Sequence, residues 1–189
     1  MSNRAAWHVP AASHMTRPEA RDDARLFLAL WPDAPLRAEL AAQRDAWRWP
    51  AGAAPVPDDK LHLTLHFIGA FARARLAALS DSLAGATMPA VTLQALDTEV
   101  WRGGIAVLRF TLAPELLALH ERLGAVLAGF GVGLDERPFS PHVTMARKAR
   151  HAHAPAAPAR INWTASAFAL VETHSGAGGS YEVLRRFGE

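Results

Sequence analysis

The sequence predicts a mixed fold of strands and helices, organised as two similar lobes around a shared cleft. Two observations support this prediction. The order strand, helix, strand occurs twice, over residues 25–67 and again over residues 105–147. The last strand of each copy contains the pattern His-x-Thr, at residues 62–64 in the first copy and at residues 142–144 in the second. Two lobes related by an approximate two-fold axis would bring these strands together at the cleft.

Both His-x-Thr segments alternate in the way that is typical of a half-buried β-strand. Side chains two residues apart on a strand lie on the same face, so His62 and Thr64 share one face while leucines occupy the other. His142 and Thr144 share a face in the same way. One such motif is usually structural, since threonine is common in strands. Its repetition in similar surroundings indicates a matched pair of functional strands.

The composition is that of a globular domain, with half of the 189 residues hydrophobic and a fifth charged. The absence of cysteine excludes disulfides and thiolate chemistry and is compatible with a reducing compartment. No apolar run is long enough to span a membrane, and the start lacks a signal-peptide core, so we expect a cytoplasmic protein. The formal net charge of +2 is compatible with an anionic substrate but does not require one.

The first 83 residues predict an arm and then, apart from the first His-x-Thr strand, a buried strand and two helices. Residues 1–23 lack periodicity and are expected to form a flexible arm before a single domain over residues 24–189. The domain should begin with a buried strand over residues 25–30, followed by a helix that Asp33 caps. A second helix is expected at about residues 72–83, where leucines recur at helical spacing.

The rest of the chain predicts a hairpin, a long helix and further strands. A glycine pair at residues 103–104 marks the turn of the hairpin, and the long helix should begin at Pro114. His120 lies within this helix and is expected to be structural or solvated. Two more strands are predicted after the second His-x-Thr strand, over residues 163–172 and 181–187.

Two imidazoles that face each other across a cleft suit general acid–base catalysis, because the histidine pKa lies near neutral pH. One ring can donate a proton while the other accepts one. The neighbouring threonine hydroxyls can donate hydrogen bonds to phosphate oxygens. Arg147 follows His142 by five residues, and its guanidinium geometry matches a phosphate, although a surface cation at a strand end is an equally good interpretation.

The paired motifs resemble the H-x-T-Φ signatures of the 2H phosphoesterase superfamily, in which Φ is a hydrophobic residue. Here they are His-Leu-Thr-Leu at residues 62–65 and His-Val-Thr-Met at residues 142–145. The chain most resembles the RNA 2′,3′-cyclic phosphodiesterases of that superfamily, formerly called 2′-5′ RNA ligases. The segments 25–30, 60–65 and 137–144 are similar to that family. The resemblance implies a bilobal α+β fold with antiparallel sheets around a central cleft and helices on the outside.

The resemblance also implies metal-independent hydrolysis of a terminal 2′,3′-cyclic phosphate on RNA to a 2′-phosphomonoester, with no cofactor. The implied catalytic residues are His62 as proton donor and His142 as proton acceptor. The implied phosphate-binding residues are Thr64, Thr144 and Arg147. The expected partners are RNA or oligonucleotide ends rather than a membrane, and the protein is expected to be a monomer.

Three aromatic residues, Phe67, Phe139 and Tyr181, are candidates for stacking on a base, although core packing is the simpler role for the two phenylalanines. His66 follows on the same predicted strand face as His62 and is expected at the rim of the cleft. A single ring on a strand can also be structural. The spacing alone therefore establishes neither the stacking role of the aromatic residues nor the rim position of His66.

Three alternatives remain open at the level of the sequence. The chain could be a 2′-5′ RNA end-joining or RNA-end-binding module. It could be a 2H phosphodiesterase that acts on 2′-5′ oligonucleotides or small cyclic nucleotides. It could also be a metallohydrolase that uses His62, His66 and His142, but these strands offer no nearby aspartate or glutamate to complete a metal site.

Overall fold

The computed structural model describes residues 22–157, 160–176 and 179–188, and the elements below lie within these ranges. The expected flexible arm falls outside them except for its last two residues. The helices are α1 (Ala34–Asp45), α2 (Leu76–Ala84) and α3 (Pro114–Gly129), and none of the described helices could cross a lipid bilayer. The strands are β1 (Asp23–Leu30), β2 (Ala54–Pro55), β3 (Leu63–Ala72), β4 (Val91–Trp101), β5 (Ile105–Phe110), β6 (His142–Arg147), β7 (Asn162–Ala165), β8 (Ala167–His174) and β9 (Ser180–Gly188).

The strands join into one antiparallel sheet in the order β7-β4-β5-β6-β3-β1-β8-β9, and β2 pairs with β6 beside this path. β1 pairs with β3 in one half and β5 pairs with β6 in the other, and a helix connects the strands of each pair. The halves meet where β3 lies next to β6, at the pairing of Leu63 with Val143. The predicted α+β fold with antiparallel strands and two similar halves is confirmed.

The helices cover one face of the sheet and enclose the main hydrophobic core. β1 contributes Leu26 and Leu28 to this core, where they are 2% and 0% exposed. Phe27 and Ala29, the alternate residues, belong to a smaller apolar cluster on the opposite face. A strand that is buried on both faces has a continuous apolar sequence, which is why residues 25–30 predict this strand correctly.

The C-terminal end of α1 is tied to the loop that leads into β3. The buried Arg44 donates a hydrogen bond from Nη1 to the Val56 carbonyl at 2.6 Å. Its guanidinium also forms ion pairs with Asp45 at 2.8 Å and with Asp58 at 2.6 Å. Because Asp58 lies just before the first His-x-Thr strand, these contacts fix the position at which that strand begins.

The second predicted helix begins later than expected. β3 continues through Gly69 to Ala72, because its backbone pairs with β1 as far as Asp23 opposite Ala72. A 3₁₀ turn over Arg73–Arg75 follows, and α2 begins only at Leu76. The prediction of a helix from about residue 72 is therefore wrong at its N-terminal end.

The strand predicted over residues 163–172 is two strands. β7 ends at Ala165 and pairs with β4, whereas β8 begins at Ala167 and pairs with β1. The two strands lie at distant positions in the sheet, and the chain leaves one for the other at Ser166. Apolar residues continue on both sides of this break, so the pattern alone predicts one strand.

β3 contains two β-bulges that change which of its side chains face the cleft. Thr64 lies opposite Ala29, but His66 lies opposite the adjacent residue Leu28, so Leu65 is an extra residue in β3. The bulge turns His66 toward the main core, and the residue is only 7% exposed. The expectation that His66 lies at the cleft rim is wrong for this reason.

The second bulge lies at Ile68. Phe67 is opposite Phe27, and Gly69 is opposite Leu26, so the strand again has one residue more than its partner. Phe67 therefore shares the cleft face of the sheet with Phe27, and it is 67% exposed. Core packing, the simpler role expected for Phe67, is wrong.

Replacing Arg44 with Gln should lower the free energy of unfolding by about 1–3 kcal/mol, because the half-buried Val56 carbonyl and the Asp58 carboxylate lose a charged donor. Urea unfolding followed by circular dichroism measures this change. The matched control is Arg185→Gln, since Arg185 is an exposed arginine that contacts Ser80 and Asp81 at the surface. The control should change the free energy by less than about 0.5 kcal/mol. Equal effects of the two substitutions would contradict the anchoring role of Arg44.

Candidate active site

The two His-x-Thr segments meet at the junction between the halves of the sheet. The antiparallel pairing of β3 with β6 places His62 across from Thr144, and it places Thr64 across from His142. These four residues and Arg147 line one cavity of about 650 Å³. The structure therefore brings together all five residues that the sequence predicts for catalysis and phosphate binding.

Each imidazole ring is oriented by the main-chain carbonyl of the residue two positions before it. Nδ1 of His62 donates to the carbonyl of Lys60, and Nδ1 of His142 donates to the carbonyl of Ser140, each at 2.7 Å. A carbonyl oxygen only accepts hydrogen bonds, so Nδ1 holds the proton in each neutral ring. Nε2 is then available for proton transfer, and in His62 it lies 3.1 Å from the Thr64 hydroxyl.

Three aromatic rings enclose His62. The Phe27 ring lies 4.8 Å from the imidazole, and Trp31 stacks on it at 5.5 Å with 12° between the planes. Tyr181 approaches edge-on at 5.5 Å. Burial lowers the pKa of His62 to about 4, and this effect outweighs the opposing hydrogen bond to the Lys60 carbonyl. His62 is therefore neutral at pH 7 in the free protein.

His142 has a different environment. One ring, Trp101, contacts it at 4.4 Å with 61° between the planes. Trp101 Nε1 donates to Glu99 at 2.6 Å, and Glu99 is also paired with Arg109. Burial lowers the pKa of His142 below its ordinary value, and two nearby guanidinium groups lower it further. The two histidines thus share a backbone geometry and differ in the side chains around them.

Arg147 lies exposed at the end of β6, where β2 pairs with it. Its positive charge lowers the pKa of both His62 and His142. A guanidinium that acts on both imidazoles is suited to hold an anionic phosphate between them. Of the two interpretations that the sequence allows for Arg147, its place in the cavity favours phosphate binding.

Two of the candidate stacking rings lie in the cleft. Phe67 presents an exposed ring at the boundary between the main cavity and a second one of about 490 Å³. Tyr181 is half-buried, packs against His62, and has Lys60 Nζ at 5.7 Å from its ring centroid. Phe67 is therefore free to stack on a base, whereas Tyr181 already serves as part of the wall around His62.

The third candidate, Phe139, belongs to a stack of three rings. It stacks on His120 at 4.1 Å, and His120 stacks on His66 at 4.0 Å. His66 Nε2 donates to the His120 carbonyl at 2.8 Å, and burial lowers the pKa of His120 to about 4. These contacts give Phe139 a packing role, and they give His120 the structural role that was one of its two expected roles.

The three histidines that a metallohydrolase would need do not converge, because His66 faces the main core. In the described part of the chain, one group has the spacing of a metal site, namely Glu172, His174 and Glu182 on β8 and β9. Glu172 is already paired with Arg73. This group lies outside the cleft and has no place in the chemistry of the paired histidines.

The sequence does not predict the aromatic rings that surround the histidines. Phe27, Trp31 and Trp101 are predicted only as parts or ends of strands. Phe27 and Trp31 lie on or just after β1, next to β3, whereas Trp101 ends β4, one strand away from β6. Recognising them therefore needs the order of strands in the sheet. The environments that set the two histidine pKa values therefore follow from the fold and not from the motif.

Comparison with known sequences identifies the family. A profile of the 2′-5′ RNA ligase superfamily matches residues 32–177. The chain therefore belongs to the 2′-5′ RNA ligase superfamily, as the resemblance of the paired motifs predicts. It is 32% identical over 142 residues to the RNA 2′,3′-cyclic phosphodiesterase of Escherichia coli (strain K12), a match that spans 74% of this chain and 80% of that protein.

Solved structures share this fold over most of their length. The crystal structure of Escherichia coli LigT complexed with 3′-AMP has a TM-score of 0.80 and 30% identity, covering 88% of this chain and 98% of that one. The crystal structure of TT0787 of Thermus thermophilus has a TM-score of 0.72 and 28% identity, covering 87% of this chain and 97% of that one. The similarity therefore includes both halves of the sheet and the cleft between them.

Replacing Trp31 with Ala should raise the pKa of His62 from about 4 toward the ordinary 6.5, because the imidazole gains access to water. An NMR titration of the imidazole Cε1 protons measures this shift. The matched substitution is Trp101→Ala, which should raise the pKa of His142 and not that of His62. If each variant shifted both histidines equally, the separate environments described above would be wrong.

Proposed function

We propose that this protein hydrolyses the terminal 2′,3′-cyclic phosphate of RNA to a 2′-phosphomonoester by two-histidine acid–base catalysis, without a metal. The observation that supports this most is that His62 and His142 line one cavity with both Nε2 atoms available for proton transfer. Such a pair can deliver one proton and remove another in the same reaction. The proposed site is complete within one chain, which favours a monomer, and the cysteine-free sequence suits the cytoplasm.

The reaction is a displacement at phosphorus. The oxygen of water forms a bond to phosphorus while the bond from phosphorus to the ribose O3′ breaks, with the two oxygens roughly in line. His142 accepts the proton of the water, and His62 donates a proton to O3′. The histidines come from different halves of the sheet and can therefore flank the phosphate on opposite sides.

The negative charge of the substrate favours the protonated form of His62, the proton donor. His62 is neutral in the free protein at pH 7, because burial lowers its pKa to about 4. An anionic phosphate beside the ring favours the imidazolium form and raises this pKa. Protonation of His62 is thus coupled to binding of the cyclic phosphate, and the donor is charged when the substrate is in place.

The remaining predicted residues bind and orient the substrate. The Thr64 and Thr144 hydroxyls lie beside the histidines and donate to the non-bridging phosphate oxygens, which gain charge as water attacks. Arg147 offsets the same charge with its guanidinium. Phe67 offers an exposed ring for the base of the terminal nucleotide.

The relatives support this choice of substrate. The curated Escherichia coli protein that this chain resembles is an RNA 2′,3′-cyclic phosphodiesterase. Escherichia coli LigT has been crystallised with 3′-AMP, a nucleotide with a phosphate on the ribose ring. This chain has the same fold and presents paired His-x-Thr strands at the centre of its cleft.

His62→Ala and His142→Ala should each lower kcat by about 10²–10⁴-fold, because each removes one of the two proton transfers. Thr64→Val should have a smaller effect, since it removes a neutral hydrogen bond. The control is His153→Ala, which changes an exposed histidine in a loop. Steady-state hydrolysis of an RNA dinucleotide with a 2′,3′-cyclic phosphate measures all four variants, and thermal unfolding checks that each is folded.

Near wild-type turnover by either histidine variant would contradict the two-histidine mechanism. Phosphorus NMR of the product tests the orientation independently, because a rigid site places only one leaving oxygen opposite the water. The expected product is the 2′-phosphomonoester alone. A 3′-phosphate, or a mixture of the two isomers, would contradict the assignment of His62 as the donor to O3′.

The pH dependence should differ between kcat/KM and kcat. Both His62 and His142 have pKa values below the ordinary 6.5 in the free protein, so the alkaline limb of kcat/KM, where the donor loses its proton, should lie below pH 6.5. Bound phosphate raises the donor pKa, so the alkaline limb of kcat should lie about 1 pH unit or more higher. A profile that rises steadily with pH, or activity that EDTA removes and a divalent metal restores, would favour a metal hydroxide instead.

A further inference from the structure

A row of cleft-facing positions leads away from the catalytic histidines along β1 and β3. Antiparallel partners project to the same face of a sheet, so each pair in the row is a pair of neighbours on the cleft floor. Starting from the histidines, the pairs are Thr64 with Ala29, then Phe67 with Phe27, then Ala70 with Arg25. The two bulges in β3 keep these pairs opposite each other. From the first pair to the last, β3 advances six positions, from Thr64 to Ala70, while β1 advances four, from Ala29 to Arg25. The row ends at a guanidinium.

Arg25 and the histidines line the same cavity of about 650 Å³. Arg25 lies four residues from Ala29, so the two backbone positions are separated by about 13 Å at the usual strand rise. A long arginine side chain shortens the distance from its guanidinium to the phosphate site. Between the two ends lies the exposed ring of Phe67. This spacing suits a nucleotide that has phosphates on both sides of its ribose and a base that stacks on Phe67.

Arg25 has no ion-pair partner among the described residues, unlike three other arginines of this structure. Arg44, Arg73 and Arg109 are each paired with two carboxylates. Asp23 lies further out on the same strand face and forms no ion pair with Arg25. The charge of Arg25 is therefore not used to hold the fold together.

The neighbours of Arg25 leave its guanidinium open to the cleft. On one side Ala70 has only a methyl group, and on the other side Thr173 offers a hydroxyl that also lines the cavity. A guanidinium with a hydroxyl beside it can hold a phosphate through charge-assisted hydrogen bonds. Within the described ranges, neither β3 nor β8 places a carboxylate directly opposite Arg25.

We propose that Arg25 and Thr173 form a second phosphate-binding position, which takes the 5′-phosphate of the nucleotide whose cyclic phosphate lies between the histidines. This inference rests on the proposed function. In an RNA strand this 5′-phosphate is the diester that links the last two nucleotides. The protein therefore favours oligonucleotide ends, and 5′-phosphorylated nucleotides, over nucleoside cyclic phosphates that lack this group.

Two substrates that differ only in this group test the proposal, namely adenosine 2′,3′-cyclic phosphate and its 5′-phosphorylated form. The wild type should show a kcat/KM on the order of tenfold higher for the 5′-phosphorylated substrate, mainly through KM. Arg25→Gln should reduce this ratio to about one. Arg160→Gln is the matched control, since Arg160 is an exposed arginine outside the cavity, and it should keep the wild-type ratio.

Binding measurements make the test independent of turnover. Isothermal titration should show adenosine 2′,5′-bisphosphate binding about tenfold more tightly than adenosine 2′-phosphate to the wild type, and equally tightly to Arg25→Gln. An inactive wild type would contradict the proposed function, while the titration would still decide the role of Arg25. The inference is overturned if the wild type does not distinguish the two ligands, or if Arg25→Gln weakens both equally.

Discussion

The site depends on the packing of Leu63 against Val143, where the two halves of the sheet join. Both residues are fully buried. Side chains alternate along a strand, so burying this pair turns the flanking histidine and threonine of each strand into the cleft. A register shift of one residue would bury the histidines and expose the aliphatic pair, at a large cost in apolar burial. The hydrophobic effect that joins the halves therefore also sets the arrangement of the imidazoles and hydroxyls.

The two halves share a backbone plan and give their histidines different chemistry. His62 is enclosed by three aromatic rings, whereas His142 contacts one ring and lies near two guanidinium groups. Two identical side chains with the same backbone hydrogen bond thus have different surroundings. The repeated order of strand, helix and strand accounts for the pair of rings, and the side chains around each ring account for the difference between them.

Much of the fold could be predicted from the sequence, and so could the five residues that line the centre of the candidate site. The His-x-Thr strands alternate in polarity, and the strand at residues 25–30 is continuously apolar, so periodicity alone places them. The bulges at Leu65 and Ile68 could not be predicted, because they depend on the pairing of β3 with β1. They explain why His66 is in the core and Phe67 is in the cleft. The break at Ser166 could not be predicted for a similar reason, since β7 and β8 differ in the strands with which they pair, β4 and β1.

The hydrogen bonds that orient the two imidazoles have a consequence for how this protein tolerates mutation. In a Ser-His-Asp triad an aspartate side chain orients the histidine, and one substitution removes that acceptor. Here the acceptors are the main-chain carbonyls of Lys60 and Ser140, which every amino acid possesses. Substitutions at these two positions leave the acceptor in place as long as the backbone keeps its path. The orientation of both rings is thus robust to sequence drift at the positions that provide it, and selection can act on those side chains for other purposes.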